Sequence, residues 1–127
     1  MYYKLFFFLK NNAFQQEIVY NIYMKKEVFI RLFKIEESNV LSIKLSNNDL
    51  ILVAEVDIIC FAMGNNIREN DYHPVQNNYI FKDISSISSN DLFRISNIYN
   101  SNYINELICF DTNLGKIYFD CSEVIVK

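Results

Sequence analysis

Apolar and polar residues alternate most clearly along residues 40–46, where from Leu41 onward every second side chain is leucine or isoleucine. A period of two is typical of a β-strand that buries one face. The turn-forming sequence 47–49 follows, since asparagine and aspartate tolerate a left-handed backbone. The β-branched run 50–63 then favours a second strand that pairs with the first, although its apolar residues also fit one stripe of a helix.

Other apolar stretches predict further strands. Residues 2–9 carry aromatic residues and leucine on both faces, which suits a short buried strand. A hairpin is predicted around the turn 112–115, in which Gly115 would supply a positive φ. The strands of this hairpin are 106–111 and 116–121, and the remaining predicted strands are 28–35, 79–82 and 124–126, the last as an edge strand or a tail.

Two segments predict helices. Residues 13–26 place three apolar side chains at i, i+4 and i+8, which forms one stripe of a helix that ends in two lysines. Ser88 and Asp91 resemble a capping box, so a second, short helix is predicted to begin there and to end at 100–102. The polar residues 64–78 are predicted to form an exposed loop.

Strands that are joined by short turns pair antiparallel, whereas strands that alternate with helices pair in parallel. The predicted fold class is therefore α+β, with a mainly antiparallel sheet of about six strands and two helices packed on one face. The length suits a single domain, 1–127. No apolar stretch approaches the ~20 residues that cross a bilayer, and the N-terminal apolar run is shorter than a signal-peptide core, so the expected location is cytoplasmic.

The composition excludes several classes of protein. With two glycines and one proline, the chain cannot build a Rossmann fingerprint, a P-loop or a nucleophile elbow. Its three cysteines and single histidine are too scattered for a disulfide framework or a structural zinc site. We expect Cys60, Cys109 and Cys121 to be reduced and mostly buried thiols, and we predict no cofactor and no metal.

The net charge of −3 is unevenly distributed along the chain. Residues 1–47 carry seven basic and four acidic side chains, whereas residues 48–127 carry five basic and eleven acidic ones. An acidic surface repels nucleic acid and attracts a basic protein. Mild acidity is also common among small cytosolic proteins for reasons of solubility alone.

The acidic residues offer two interpretations. Glu69, Asp71 and His73 would point to one side of an extended segment, where two carboxylates and an imidazole can bind a metal or act as acid and base. These residue types are also common in solvated loops. The other interpretation is a partner-binding surface, on which carboxylates and tyrosines contact a basic protein. Its predicted residues are Glu69, Asp71, Tyr72, Asp111, Asp120 and Glu123, with Asn77, Asn78, Tyr99 and Tyr103 as exposed neighbours.

In its length, α+β organisation, acidic C-terminal part, AT-rich coding bias and lack of catalytic motifs, the chain resembles the immunity proteins of bacterial toxin systems such as contact-dependent growth inhibition. The resemblance covers the overall character of the chain and no diagnostic motif, so no family residue is carried over. It implies a cytoplasmic protein, not an enzyme, that binds and neutralises a cognate toxin domain, often a basic nuclease, and that has no nucleic-acid or membrane partner. Two alternatives stay open: a small metal-dependent hydrolase that uses Glu69, Asp71 and His73, and a structural subunit that self-associates through an uncovered sheet edge.

Overall fold

The computed structural model describes residues 2–9, 16–33, 35–57 and 74–127, and the side chains within 21–33, 35–55 and 75–127. These residues form nine strands, one α-helix and one 3₁₀ helix. In chain order the elements are β1 (Tyr2–Leu9), β2 (Gln16–Met24), α1 (Lys26–Leu32), β3 (Ser38–Ser46), β4 (Asp49–Asp57), β5 (Pro74–Phe81), the 3₁₀ helix (Asn90–Arg94), β6 (Asn97–Ile104), β7 (Leu107–Thr112), β8 (Gly115–Phe119) and β9 (Val124–Val126).

All nine strands belong to one sheet with the order β1-β2-β9-β5-β4-β3-β6-β7-β8. Every pair of neighbouring strands in it is antiparallel. The prediction of about six strands with two helices on one face is therefore wrong in both numbers. The sheet is larger because the first predicted helix and the end of the second each supply an additional strand, and part of a predicted loop lengthens β5.

In the structure, the segment predicted as the first helix forms a strand, and most of the segment predicted as the next strand forms a helix. Residues 16–24, within the predicted helix 13–26, form β2, which pairs with β1 on one side and with β9 on the other. Residues 28–32 of the predicted strand 28–35 belong to α1 instead, whose Phe29 and Ile30 are buried. The reason is the spacing, because residues four positions apart share a face in a strand as well as in a helix. Because β2 pairs with a strand on each side, this segment forms a strand rather than a helix.

The second predicted helix is also wrong beyond its first turn. Only the 3₁₀ helix forms, and its capping hydroxyl belongs to Ser89, which accepts a hydrogen bond from the Asp91 backbone N–H. The hydroxyl of Ser88 instead accepts from the N–H of Tyr118 on β8. The chain after Ile95 becomes β6 because it pairs with β7 and, at its start, with β3.

Three other predictions concern the ends of strands. The predicted loop 64–78 is wrong for 74–78, which belong to β5, and residues 64–73 lie outside the described part. The segment 124–126 is not an edge strand, because β9 lies buried between β2 and β5. The strand predicted over 50–63 is confirmed as far as Asp57, since β4 pairs with β3 as expected.

The hairpin turns follow the predicted backbone chemistry. Asn47 and Asn48, between β3 and β4, have φ angles of 50° and 67°. Gly115, at the start of β8, has a φ of 96°. Both turns use residues that adopt a left-handed backbone at low steric cost, and this fixes the register of the strands on either side.

Aromatic side chains show that the sheet curls onto itself. Phe81 on β5 and Phe119 on β8 are separated by four strands in the sheet order, yet their ring centroids lie 5.2 Å apart. Phe110 on β7 completes an edge-to-face group, 6.0 Å from Phe81 and 5.1 Å from Phe119. Phe29 brings α1 into the same core at 5.4 Å from Phe81. The core is therefore the concave face of one curved sheet, with α1 packed into it.

Neither of the described helices has the length and apolar character that crossing a membrane requires.

We predict that Phe81→Ala lowers the free energy of unfolding by about 3–5 kcal/mol, because it leaves a cavity where four aromatic rings now touch. Urea denaturation followed by circular dichroism measures this loss. Leu114→Ala is the matched control, since Leu114 is exposed in the β7–β8 turn, and its cost should stay below about 0.5 kcal/mol. A loss below about 1 kcal/mol for Phe81→Ala would contradict the curled core.

Candidate functional site

The structure describes three of the six predicted partner-binding residues. Asp111 lies on β7, Asp120 directly follows β8, and Glu123 directly precedes β9. Glu69, Asp71 and Tyr72 lie outside the described residues, as does His73. Their predicted roles in partner binding or in a metal site therefore stay predictions.

The curvature of the sheet brings two connecting segments together. Residues 82–85 leave β5, residues 120–123 leave β8, and the two segments run antiparallel. Ser85 and Asp120 exchange both backbone hydrogen bonds, at 3.0 Å and 2.8 Å. Lys82 in turn donates from its N–H to the carbonyl of Glu123 and accepts from the N–H of Ser122. We call these two segments, together with Asp49, the acidic junction.

Asp49 and Lys82 form the best-defined ion pair of the acidic junction. The Lys82 Nζ lies 2.7 Å from Asp49 Oδ2, and the backbone N–H of Asp83 donates to Oδ1 of the same carboxylate. Partial burial opposes ionisation of Asp49, but these two hydrogen bonds hold its pKa below the ordinary value. The hydrogen bond to Asp49 raises the pKa of Lys82, and the nearby charges of Asp83 and Glu123 add to this effect.

Asp120 is tied to the start of α1. Its Oδ1 lies 2.5 Å from the Nζ of Lys26 and also accepts from the N–H of Cys121. Lys26 additionally donates to the carbonyl of Glu106 at 2.7 Å and lies 5.9 Å from the ring centre of Tyr103. The hydrogen bond between Lys26 and Asp120 lowers the pKa of Asp120 and raises the pKa of Lys26. Asp120 therefore links the helix to the sheet, in addition to contributing charge.

Among the described residues, the acidic junction holds more carboxylates than ammonium groups. Four described carboxylates lie at the junction, and two described ammonium groups form ion pairs there. The carboxylates belong to Asp49, Asp83, Asp120 and Glu123, and the ammonium groups to Lys26 and Lys82. Asp83 is exposed, and its Oδ2 accepts a hydrogen bond from the Ser122 hydroxyl at 3.0 Å. Asp83 has a φ of 50°, so a left-handed backbone holds it in this position.

Asp111 does not join the acidic junction. It lies opposite Lys116, whose Nζ is 3.8 Å from Asp111 Oδ1, and Lys116 precedes Asp120 by four residues, or ~13 Å of strand. The Oδ1 atom of Asp111 is buried and accepts no hydrogen bond from the described residues. The three described residues of the predicted surface therefore lie in two separate places, Asp120 and Glu123 at the junction and Asp111 on β7.

The tyrosines predicted to be exposed behave differently from each other. Tyr99 is 47% exposed, whereas Tyr103 is 37% exposed and lies under the ammonium group of Lys26. Asn77 and Asn78 on β5 are half-buried. Tyr99 is thus the predicted aromatic neighbour that is most open to a partner among those that the structure describes.

Sequence reasoning missed Asp49 and Asp83. Asp49 was assigned only to turn chemistry, and Asp83 had no role in any motif. Their proximity to Glu123 depends on the curl that pairs 82–85 with 120–123, and no local pattern in the sequence encodes this pairing. The predicted turn 47–49 was the one available signal, because it places Asp49 at the end of a hairpin.

The thiols match the prediction where the structure describes them. Cys109 and Cys121 are free and buried, and Cys60 lies outside the described residues. Burial raises the pKa of both described thiols, and that of Cys121 to about 12. A thiol that stays protonated is a poor nucleophile, so neither cysteine has the character of a catalytic residue.

Comparison with protein-family models, with curated proteins and with solved structures finds no match for this chain. Within the described ranges, no group of three or more histidine, cysteine, aspartate or glutamate residues could hold a metal ion.

We predict that Asp120→Asn destabilises the fold by about 1 kcal/mol at pH 7, because it weakens a charge-assisted hydrogen bond at a partly exposed site. The pKa of Asp120 is lower in the folded chain, so its contribution is present above the unfolded pKa and is lost as the pH falls through the folded pKa. Urea denaturation of both chains from pH 7 down to pH 3 should therefore show the difference shrinking with acidity.

Asp91→Asn is the control for this titration. Asp91 and Arg94 form an exposed pair at 3.4 Å within the 3₁₀ helix, so this substitution should have almost no effect at any pH. A pH-independent penalty for Asp120→Asn would show that the carboxylate charge is not what stabilises the junction.

Proposed function

We propose that the chain is a cytoplasmic immunity protein that binds and neutralises a cognate toxin domain, a basic nuclease type being the partner that its charge suits best. The observation that carries this proposal is the exposed carboxylate of Asp83 at the acidic junction, where the described residues supply four carboxylates and two ammonium groups. It acts by binding and performs no reaction of its own.

The physical argument is one of charge complementarity. A negative patch on one protein speeds its encounter with a positive patch on another and disfavours partners of like charge. A nuclease domain must itself attract phosphate, so its substrate surface carries Lys and Arg. An inhibitor that presents an exposed carboxylate at such a junction can therefore cover the same groups that would otherwise bind nucleic acid.

The geometry of the junction supports the same proposal. Asp49 and Asp120 already bind lysines of the chain itself, which holds the two segments in place. A carboxylate has about four lone-pair sites, and Asp83 uses one of them for the Ser122 hydroxyl. The exposed carboxylate of Asp83 is therefore positioned to accept a hydrogen bond from an arginine or lysine of a partner while the junction stays rigid.

The hydrolase alternative rests on Glu69, Asp71 and His73, which lie outside the described residues. Elemental analysis of the purified chain tests this alternative. Bound metal that is lost in the His73→Ala variant would favour the hydrolase over the immunity protein. The self-association alternative rests on an uncovered sheet edge. Among the described strands, β6 pairs with β3 only at Ser38 and Asn39, so residues 42–46 pair with β4 alone.

The decisive experiment is co-purification with the product of the adjacent upstream gene, together with growth of cells that express that product. Binding with rescue of growth supports the proposal, and failure of both removes it. Asp83→Lys should then slow association by ~10-fold at low salt, and the effect should diminish as salt screens the charges.

Glu37→Lys provides the matched control, because it makes the same change of charge at an exposed residue between α1 and β3. It should slow association much less than Asp83→Lys. Equal effects of the two substitutions would show that net charge alone matters and that the acidic junction is not the contact surface.

A further inference from the structure

A row of four apolar side chains crosses the outer, convex face of the sheet. The registers place Ile51 of β4 opposite Ile80 of β5, and Ile125 of β9 opposite Ile80 on its other side. Ile125 in turn lies opposite Tyr23 of β2. Residues that lie directly opposite each other in an antiparallel ladder share a face, so these four form one row across four adjacent strands, ~14 Å long. We call it the outer row.

The outer row lies on the face opposite to the core. Side chains alternate between the two faces along a strand. The residues next to the row in sequence include Leu50, Phe81 and Val124, which are fully buried in the concave core. Ile125 is buried within the outer row, and its other three members are half-buried. The row is therefore apolar surface on the side of the sheet that the core does not use.

The outward positions of other strands are polar, as expected for an antiparallel sheet with one face in solvent. On β3 the residues that share the outer face are Ser42, Lys44 and Ser46, and on β6 they include Asn100 and Asn102. The four strands of the outer row depart from this alternation side by side. Single apolar residues on a surface need no explanation, whereas a contiguous group of them marks an interaction site.

The outer row adjoins the acidic junction. Asp49 precedes Ile51 by two residues and Lys82 follows Ile80 by two, so their ion pair lies on the same face, ~7 Å from the row. Asp83 comes directly after Lys82, and its backbone N–H donates to the Asp49 carboxylate. A protein that contacts the exposed carboxylate of Asp83 therefore has the outer row within reach of its neighbouring residues.

We propose that the outer row is the apolar anchor site for the basic toxin domain whose cationic group contacts Asp83. The inference rests on the proposed function and adds the chemistry of the partner: an apolar or aromatic side chain packs on Ile80 and Ile51, beside an arginine or lysine that contacts Asp83. The exposed carboxylate selects a cationic protein as the occupant, since charge complementarity favours that partner over others.

The two surfaces contribute different properties to binding. Charge complementarity acts mainly on the rate of association, whereas apolar side chains at the centre of an interface supply most of its affinity and slow its dissociation. A typical interface has such an apolar centre surrounded by a polar rim. An inhibitor that must stay bound to its toxin needs both properties, and here the two surfaces lie next to each other on one face.

The test is the kinetics of binding between the purified full chain and the purified product of the adjacent upstream gene, by surface plasmon resonance at low and high salt. Ile80→Thr keeps a β-branched residue in β5 and replaces an ethyl group by a hydroxyl. It should speed dissociation at least ~10-fold and leave association nearly unchanged. The effect should be the same at both salt concentrations, whereas the slower association of Asp83→Lys should be relieved by salt.

A control and a second variant locate the contact. Leu45→Thr is the matched control, because Leu45 is 50% exposed in a strand and lies on the concave side, opposite Leu50. It should leave dissociation unchanged. Ile51→Thr makes the same substitution as Ile80→Thr on the neighbouring strand and should also speed dissociation at least ~10-fold. Circular dichroism shows whether each variant is folded, and either variant of the outer row suffices for the test.

The outcomes separate this inference from the proposed function. If the unaltered chain binds the upstream product and rescues growth, but the folded variants of the outer row dissociate as slowly as it does, the inference is overturned and the proposed function stands. Equal acceleration by Leu45→Thr also overturns the inference. A dimer of the chain alone that Ile80→Thr dissociates would show that a second copy covers the outer row, with the same consequence. If the unaltered chain does not bind the upstream product, the proposed function fails and the inference fails with it.

Discussion

The edge-to-face packing of Phe81 against Phe110 and Phe119 is the interaction on which the structure depends. It joins strands that are far apart in the sheet order, so it converts an extended nine-stranded ladder into a curved sheet with an enclosed concave face. Phe29 packs α1 against that face through its contact with Phe81. Lys26, at the start of α1, forms an ion pair with Asp120, which directly follows β8.

The acidic junction is a consequence of the same curvature. Segments 82–85 and 120–123 pair because their strands meet through the core, and Asp83 and Glu123 then both lie near the ammonium group of Lys82. Lys82 and Lys26 form ion pairs with Asp49 and Asp120 at this place. The exposed carboxylate of Asp83 is the group that we propose a cationic partner contacts.

The sequence predicted the features that depend on neighbouring residues. The strand at 40–46, the Asn47–Asn48 turn and the positive φ of Gly115 follow from local chemistry, and the structure confirms each of them. The alternation did not predict the β-bulge between Val40 and Ser42. The sequence could not distinguish helix from strand in 13–26, because a spacing of four residues fits both. It also could not place β9 between β2 and β5 or bring Asp49 and Glu123 to the same lysine, Lys82, since pairing between distant segments decides both.

The curled sheet is tested most directly by nuclear magnetic resonance of the folded chain, through nuclear Overhauser contacts between the ring protons of Phe81 and Phe119. The structure predicts a strong contact between these rings, together with slow hydrogen exchange of the Ser85 and Asp120 amides that bond across the junction. If the rings show no contact and both amides exchange as rapidly as in an unfolded chain, the sheet is open, and the acidic junction does not exist.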